Sequence, residues 1–320
     1  MNDTRYAFCV AKIRALEKKL LTKKDIASLV EQNNLTSAFA FLLQKGYAKE
    51  DETANDLIIR QGDSLNELLK ECVPDKKEIE SLYLLNDYFN IKVLVKSAVA
   101  NSSADELLAY PSTVDFKLYK KQAPSDFSFL KDNYRKVAEN AYNIALKSGN
   151  GKFSDAIIDK AAIDALTEYA KSKKSGLFGK VCAFLADSAN IKIALRSAAT
   201  LQDADYINAA IGDCNNIDRL KLISATVNGY EELIAFLETT CYKEGVKLYT
   251  EKPSSFEKWC DDKIIDITSN AIYTSFGFAP VVSYFYRKSL EIKTVRMILS
   301  AIKSGVEKEK IKERVRALYA

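Results

Sequence analysis

The sequence predicts an all-α protein, and three observations carry that prediction. The 320 residues include only five Pro and eleven Gly, few breakers for the length, which favours long helices over many short strands. Apolar residues recur at helical period along almost every segment, and strand-like alternation is hard to find. One helix-like phrase is also written three times: DYFNIKVLVKSAV at 87–99, DSANIKIALRSAA at 187–199 and KSLEIKTVRMILS at 288–300.

The elements follow in order. Asp3 stands where it can cap a first helix whose apolar face is Tyr6, Val10, Ile13, Leu16 and Leu20. Thr22 and Asp25 form a capping box for a second, which turns Ile26, Leu29 and Val30 inward. Thr36 is read as the cap of a third, Ser37 to Lys45, stopped by Gly46. A fourth runs from about Ala54 to Cys72 and ends at Pro74, and a long fifth spans about Lys76 to Ala100. GLFGK at 176–180 and GNGK at 149–152 resemble phosphate loops in composition only and read as helix breaks. Residues 267–286, ITSNAIYTSFGFAPVVSYFY, carry no charge and are long enough to cross a bilayer. The Gly277-Phe278-Ala279-Pro280 step within them reads as a helix stop followed by a helix start. Two buried helix ends are therefore expected there, and no transmembrane segment.

The repeat sets the domain organisation. Asp87 matches Asp187, Asn90-Ile91-Lys92 matches Asn190-Ile191-Lys192, and Glu291-Ile292-Lys293 stands in the third place. Lys96 matches Arg196, and Ala104-Asp105 with Leu107 recurs as Ala204-Asp205 with Ile207. The third copy departs from the pattern. It has Lys288 in the Asp position, Glu291 in the Asn position, and Arg296 one place early, with Met297 in its stead. A fixed period means one structural unit copied, and a period of about 100 residues is domain-sized. Three related helical domains are expected, 1–112, 113–213 and 214–320. The first joint lies near YPSTVDFKLYKKQAPSD at 110–126 and the second at GDCNN, 212–216. Lys92 and Lys96 are four apart, as are Lys192 and Arg196, so each pair shares a helix face. Solvated surface lysines are the simpler reading of these positions. The functional one presents three equivalent faces to a common centre about a pseudo-threefold axis. It makes Lys92, Lys96, Lys192, Arg196, Lys293 and Arg296 the candidate partner-binding residues.

Composition excludes several chemistries. Forty-seven basic and 43 acidic residues leave a net charge of +4, without the basic excess of a dedicated nucleic-acid binder. There is no His, so His-based acid–base catalysis and His metal ligation are absent. Neither GxxxxGK[ST] nor GxGxxG occurs. The six Cys form no CxxC pair and are expected to be reduced and mostly buried. No cofactor and no metal is expected. MNDTRYAFCV has no apolar signal core. An enzyme working with carboxylates alone is left open, with no pair standing out.

Three stretches make the chain recognisable: the opening RYAFCVAKIRALEKKLL (5–21), the DYFNIKVLVKS and DSANIKIALRS phrases, and the ending KSLEIKTVRMILSAIKSGVEKEKIKERVRALYA (288–320). The ending has the form E-I-x-x-[IV]-R-x-I-L, a Gly turn, then a helix closing in R-x-L-Y. In these the chain resembles the C subunits of the V-type and archaeal-type (A-type) ATP synthases, relatives of the d subunit of eukaryotic V-ATPases. The resemblance implies a funnel of three pseudo-threefold helical domains. It places that funnel on the cytoplasmic face of the membrane proteolipid ring, with the central shaft of the D and F subunits received in its open side. It implies a non-catalytic rotor part transmitting torque for H⁺ or Na⁺ transport, with no small-molecule substrate. The alternative is a free-standing helical adaptor or scaffold that binds another protein.

Overall fold

The computed structural model describes residues 4–102, 107–109, 111–119, 122–123, 125–149, 151–172 and 176–315, and every regular element among them is helical. The α-helices are α1 (Ala7–Glu17), α2 (Lys23–Val30), α3 (Leu35–Gln44), α4 (Ala54–Cys72), α5 (Lys76–Ala100), α6 (Phe116–Tyr119), α7 (Asp132–Ser148) and α8 (Gly151–Ser172). They continue as α9 (Leu177–Ala199), α10 (Ala204–Ala210), α11 (Arg219–Asn228), α12 (Tyr230–Glu238), α13 (Lys243–Glu251), α14 (Pro253–Thr268), α15 (Ala279–Lys303) and α16 (Lys308–Arg314).

Local chemistry sets the ends. Thr22 accepts from Asp25 N, and the Asp25 carboxylate accepts from Thr22 N, so the expected box opens α2. The α3 cap is corrected from Thr36 to Asn34. Asn34 Oδ1 accepts from Ser37 N at 2.9 Å with Asn34 in an extended conformation, and Thr36 falls in the first turn. Asn is the stronger cap, because its short carbonyl reaches the free N–H of the third helical residue. Thr53 and Asp56 open α4 with a further box, and extended Val73 before Pro74 ends it. The uncharged stretch 267–286 breaks as expected. Helix α14 stops at Thr268, a 3-10 turn spans Ser269–Tyr273, and α15 starts at Ala279 with Pro280 in its first turn. Among the described residues no helix is long and apolar enough to cross a membrane. The expected cap Asp3, the Ala104-Asp105 pair and the closing Arg316-Ala317-Leu318-Tyr319 lie outside the described residues.

The chain forms two compact units. One joins both chain ends, residues 1–76 and 251–320. Its core runs from Leu29, Leu42 and Leu57 to Val295, Ile298 and Ile311, and α15 passes among α1, α2, α3, α4 and α14. The other unit, residues 77–250, packs α7 and α9 on α8 and α11 and α12 on α9. Ile91 and Leu94 of α5 meet Ala138, Ala141 and Ile158 in its core. Residues 77–250 thus hold the first two copies of the repeated helix, α5 and α9, and the unit of both termini holds the third, α15.

Candidate functional site

The repeated phrase has a structural job that spacing alone did not reveal. On α5, Asp87 and Asn90 are both wholly buried. The Asn90 amide clasps the backbone of one residue: Oδ1 accepts from Ala109 N at 2.7 Å and Nδ2 donates to Ala109 O at 3.0 Å. Asp87 accepts from Ser112 Oγ, Thr113 N, Thr113 Oγ1 and Tyr134 OH, at 2.5–3.2 Å. On α9 the pattern recurs. Asn190 Oδ1 accepts from Gly212 N at 2.9 Å, and Asn190 Nδ2 donates to Gly212 O and Asp213 O. Asp187 accepts from Asn215 N, Asn216 N, Asn216 Nδ2 and Tyr242 OH at 2.8–3.0 Å. Each pair latches a loop to its helix and ends on a tyrosine hydroxyl. Burial pushes Asp87 above the usual carboxylate range, against the pull of its hydroxyl and N–H donors. The same burial, with Asp87 and Asp187 alongside, raises the Tyr134 and Tyr242 phenols.

The third copy builds the same latch from ions. Glu291, in the Asn position of α15, accepts from Leu21 N at 2.6 Å. Lys288, in the Asp position, donates to Glu291 Oε1 at 2.5 Å and lies 4.6 Å above the Tyr47 ring. The latched segment thus comes from the other end of the chain. Leu21, α2, α3 and Tyr47 stand to α15 as Gly212, α11, α12 and Tyr242 stand to α9. Glu291 is buried and Lys288 largely so, and both belong to the latch. Neither presents its charge to an outer surface. Burial pushes Glu291 upward, opposed by Lys288 and Leu21 N.

The six candidate basic residues divide. Lys92 and Lys96, one turn apart on α5, pair with Asp159 at 2.5 Å and Asp155 at 2.7 Å, one turn apart on α8. Lys293 pairs with Asp261 of α14 at 2.8 Å. Lys192 is half-buried, Arg196 and Arg296 are exposed, and none of these three has an ion-pair partner among the described residues. The structure brings Lys92 and Lys96 together on one face, as their spacing implies. The residues that the sequence reading missed are the latch tyrosines and loops. Their one signal is a Tyr about 25 to 30 residues after each latched position, at Tyr134, Tyr242 and Tyr47.

Cys9, Cys72, Cys182 and Cys260 are buried, and burial with neighbouring Cys72 pushes the Cys9 thiol up to about 12. Thiols so held are protonated and unreactive at neutral pH. Among the described residues no three Cys, Asp or Glu converge as a metal-ligand set.

Comparison with known proteins gives a consistent result. A family model described as "ATP synthase (C/AC39) subunit" matches residues 9–314. The chain is 23% identical to the C subunit of the V-type sodium ATPase of Enterococcus hirae, over 96% of this chain and 97% of that protein. It is 25% identical to the C subunit of the A-type ATP synthase of Desulfurococcus sp., over 97% of this chain and 90% of that one. The corresponding protein of Thermococcus kodakarensis is 24% identical over 98% and 90%.

Proposed function

The chain belongs to the ATP synthase (C/AC39) subunit family, and on that premise we propose that it is a peripheral, non-catalytic subunit of a V- or A-type rotary ATPase. In this reading it sits on the cytoplasmic face of the membrane and connects the central shaft of the D and F subunits to the proteolipid ring. It carries torque between them, and so couples ATP turnover to H⁺ or Na⁺ movement. Three pseudo-threefold domains would surround the shaft as a funnel. The observation that carries the reading is the family match over residues 9–314, nearly the whole chain.

The build of the chain supports it. Torque needs stiffness, which close-packed helices supply, and α5 and α15 run 25 residues each. The latches bind each long helix to the loop of its repeat through buried hydrogen bonds, so twist applied at one element is passed to the next. Polar, charged rims suit a shaft that assembles reversibly. Lys192, Arg196 and Arg296 remain the candidates to meet a partner, since none of them has an ion-pair partner among the described residues. Lys92, Lys96 and Lys293 would first have to leave Asp159, Asp155 and Asp261.

The test is a pull-down of the tagged chain from native membranes in mild detergent, with mass spectrometry of what accompanies it. Recovery of the proteolipid together with D and F is expected. Recovery of the chain alone, or with unrelated proteins only, overturns the reading. Reversing Lys92, Lys192 and Lys293 to Glu should lower that recovery while circular dichroism stays unchanged. Unchanged recovery would mark these three as solvated or structural lysines.

A further inference from the structure

The first helix is apolar on both of its faces. Cys9, Val10 and Ile13 of α1 are buried, while the opposite side exposes Ala7, Phe8, Ala11 and Ala15, with Phe8 64% exposed. Contiguous exposed apolar residues rimmed by charged ones mark interaction surfaces. Arg14 extends this face, since its Nη2 donates to Ala271 O at 2.9 Å and Thr274 O at 2.8 Å. That fixes beside α1 the turn that carries Tyr273, which is 83% exposed.

At the end of α1 the chain reads KKLLTKK, residues 18–24. Lys18, Lys19, Lys23 and Lys24 lie at or near the surface, and none has an ion-pair partner among the described residues. The nearest acids in sequence are committed elsewhere: Glu17 to Arg14 and Arg287, and Asp25 to Lys45 and the α2 cap. The fold does not require these lysines. Leu21 in their midst is the latched residue of the third copy, and the segments latched in the other two copies, ELLAYPST at 106–113 and AAIGDCNN at 209–216, contain no basic residue. Four lysines without an ion-pair partner among the described residues thus stand at the end of α1 and in the first turn of α2, a segment held by Glu291 and by a capping box, next to the exposed apolar stripe.

We propose that the exposed face of α1 and the 18–24 loop form a docking surface for an acidic amphipathic helix of a partner polypeptide. Its apolar ridge would lie along Ala11 and Ala15 beside Phe8 and Tyr273, and its carboxylates would face Lys18, Lys19, Lys23 and Lys24. Two alanines four apart beside a phenylalanine make a groove and a knob, a shape that a helix ridge fills. A lipid surface would use the lysines but has no use for the groove. Charge complementarity selects an acidic partner and speeds the encounter. The proposal rests on the rotary-ATPase reading for its setting and adds the surface and the chemistry of the partner.

The experiment places a photo-crosslinking benzoylphenylalanine at Phe8 in the complex purified from membranes. The crosslinked peptide is then sequenced. The expected product is a crosslink to a partner segment with helical apolar period and an excess of Asp and Glu. Its yield should fall on the order of tenfold or more when all four lysines are reversed to Glu, and in the neutral Lys→Gln set by less. Thermal melting should be unchanged in both sets, because none of the four side chains is held by a hydrogen bond or ion pair among the described residues. A crosslink to lipid, to residues 77–250 of the same chain, or to a basic or uncharged partner segment overturns the proposal, as does a yield indifferent to charge reversal. If the chain co-purifies with the shaft and ring but crosslinks in one of those ways, this surface is wrong and the functional reading stands. If it co-purifies with nothing, both fall.

Discussion

Asn90 and Asn190 each hold a loop that follows them by 19 and 22 residues, whereas Glu291 holds Leu21, 270 residues away at the other end of the chain. The side chain at the Asn position is a neutral amide in the two near latches and a carboxylate in the distant one. An amide offers a donor and an acceptor, so it clasps both the N–H and the C=O of one residue. A carboxylate only accepts: buried Asp87 and Asp187 are met by several hydroxyl and N–H donors, whereas Glu291 is met by Leu21 N and the Lys288 cation. The change at the Asn position therefore brings a change at the Asp position one turn earlier. Asp at 288 beside Glu at 291 would bury two like charges on one helix face, and Lys288 instead neutralises Glu291. The third copy is a coupled charge swap that keeps the latch.

The largest expected effect comes from breaking the ionic latch. Glu291→Ala leaves Lys288 largely buried and unpaired and frees Leu21 N, a loss of about 3–5 kcal/mol in urea unfolding. Limited proteolysis should then cut first near 18–24. Restoring the other copies' pattern with Lys288→Asp and Glu291→Asn together should cost less than Glu291→Ala alone. A double variant that is worse than the single would break the equivalence of the three latches.

Next in size is the latch of the second copy. Asp187→Ala leaves Asn215 N, Asn216 N and the Tyr242 hydroxyl without their acceptor, at about 2–4 kcal/mol by chemical denaturation. Gly212→Ala tests the same latch by shape. A Cβ there would stand 2.7 Å from Ile163 Cγ2 and 2.8 Å from Asp164 Oδ1, so overpacking of about 1–3 kcal/mol is expected. Ala109, the equivalent in the first copy, already carries its Cβ, so Ala109→Gly should cost less in the same melt.

Asp87 allows a pH test. Burial raises its folded value above the ordinary 3.8, so the folded state holds this proton more tightly than the unfolded one. Its contribution is fully present below about pH 3.8 and is lost as pH rises through the folded value. Measured across that window, the stability of the native chain minus that of Asp87→Asn should therefore decline with rising pH. A difference that is flat or rises would show that the hydrogen bonds outweigh burial. The smallest effect is expected at the half-exposed pair of Lys92 and Asp159. There Lys92→Gln should change stability by less than about 1 kcal/mol, which leaves room for Lys92 to serve a partner instead.

Much of this was legible in the residues. Helical period, sparse Gly and Pro, and the Thr22–Asp25 box located the helices to within a turn or so. The Asn34 cap was missed because Thr36 two residues later is also a good cap, and only the backbone decides between neighbours. The break at Gly277 and Pro280 was visible because both residues restrict backbone locally. The repeat of Asp87, Asn90 and Lys92 in 187–192 was visible as identity of type, and the six basic candidates followed from it. Yet type did not say which member of each phrase was structural. The conspicuous lysines lie at the edge of their helices, while Asp87 and Asn90 carry the hydrogen bonds that define the repeat.

The sequence by itself determined the helical class, the three copies and the family, because periodicity, breakers and recurring phrases are local properties of the chain. Only the tertiary structure decided that Glu291 latches Leu21, that the Tyr47 ring meets Lys288 where Tyr134 and Tyr242 give their hydroxyls to Asp87 and Asp187, and that Lys92 and Lys96 are met by Asp159 and Asp155. Those facts depend on which distant groups burial forces together. A buried N–H or carboxylate must find a partner wherever the fold supplies one, and no spacing along the chain records where that will be.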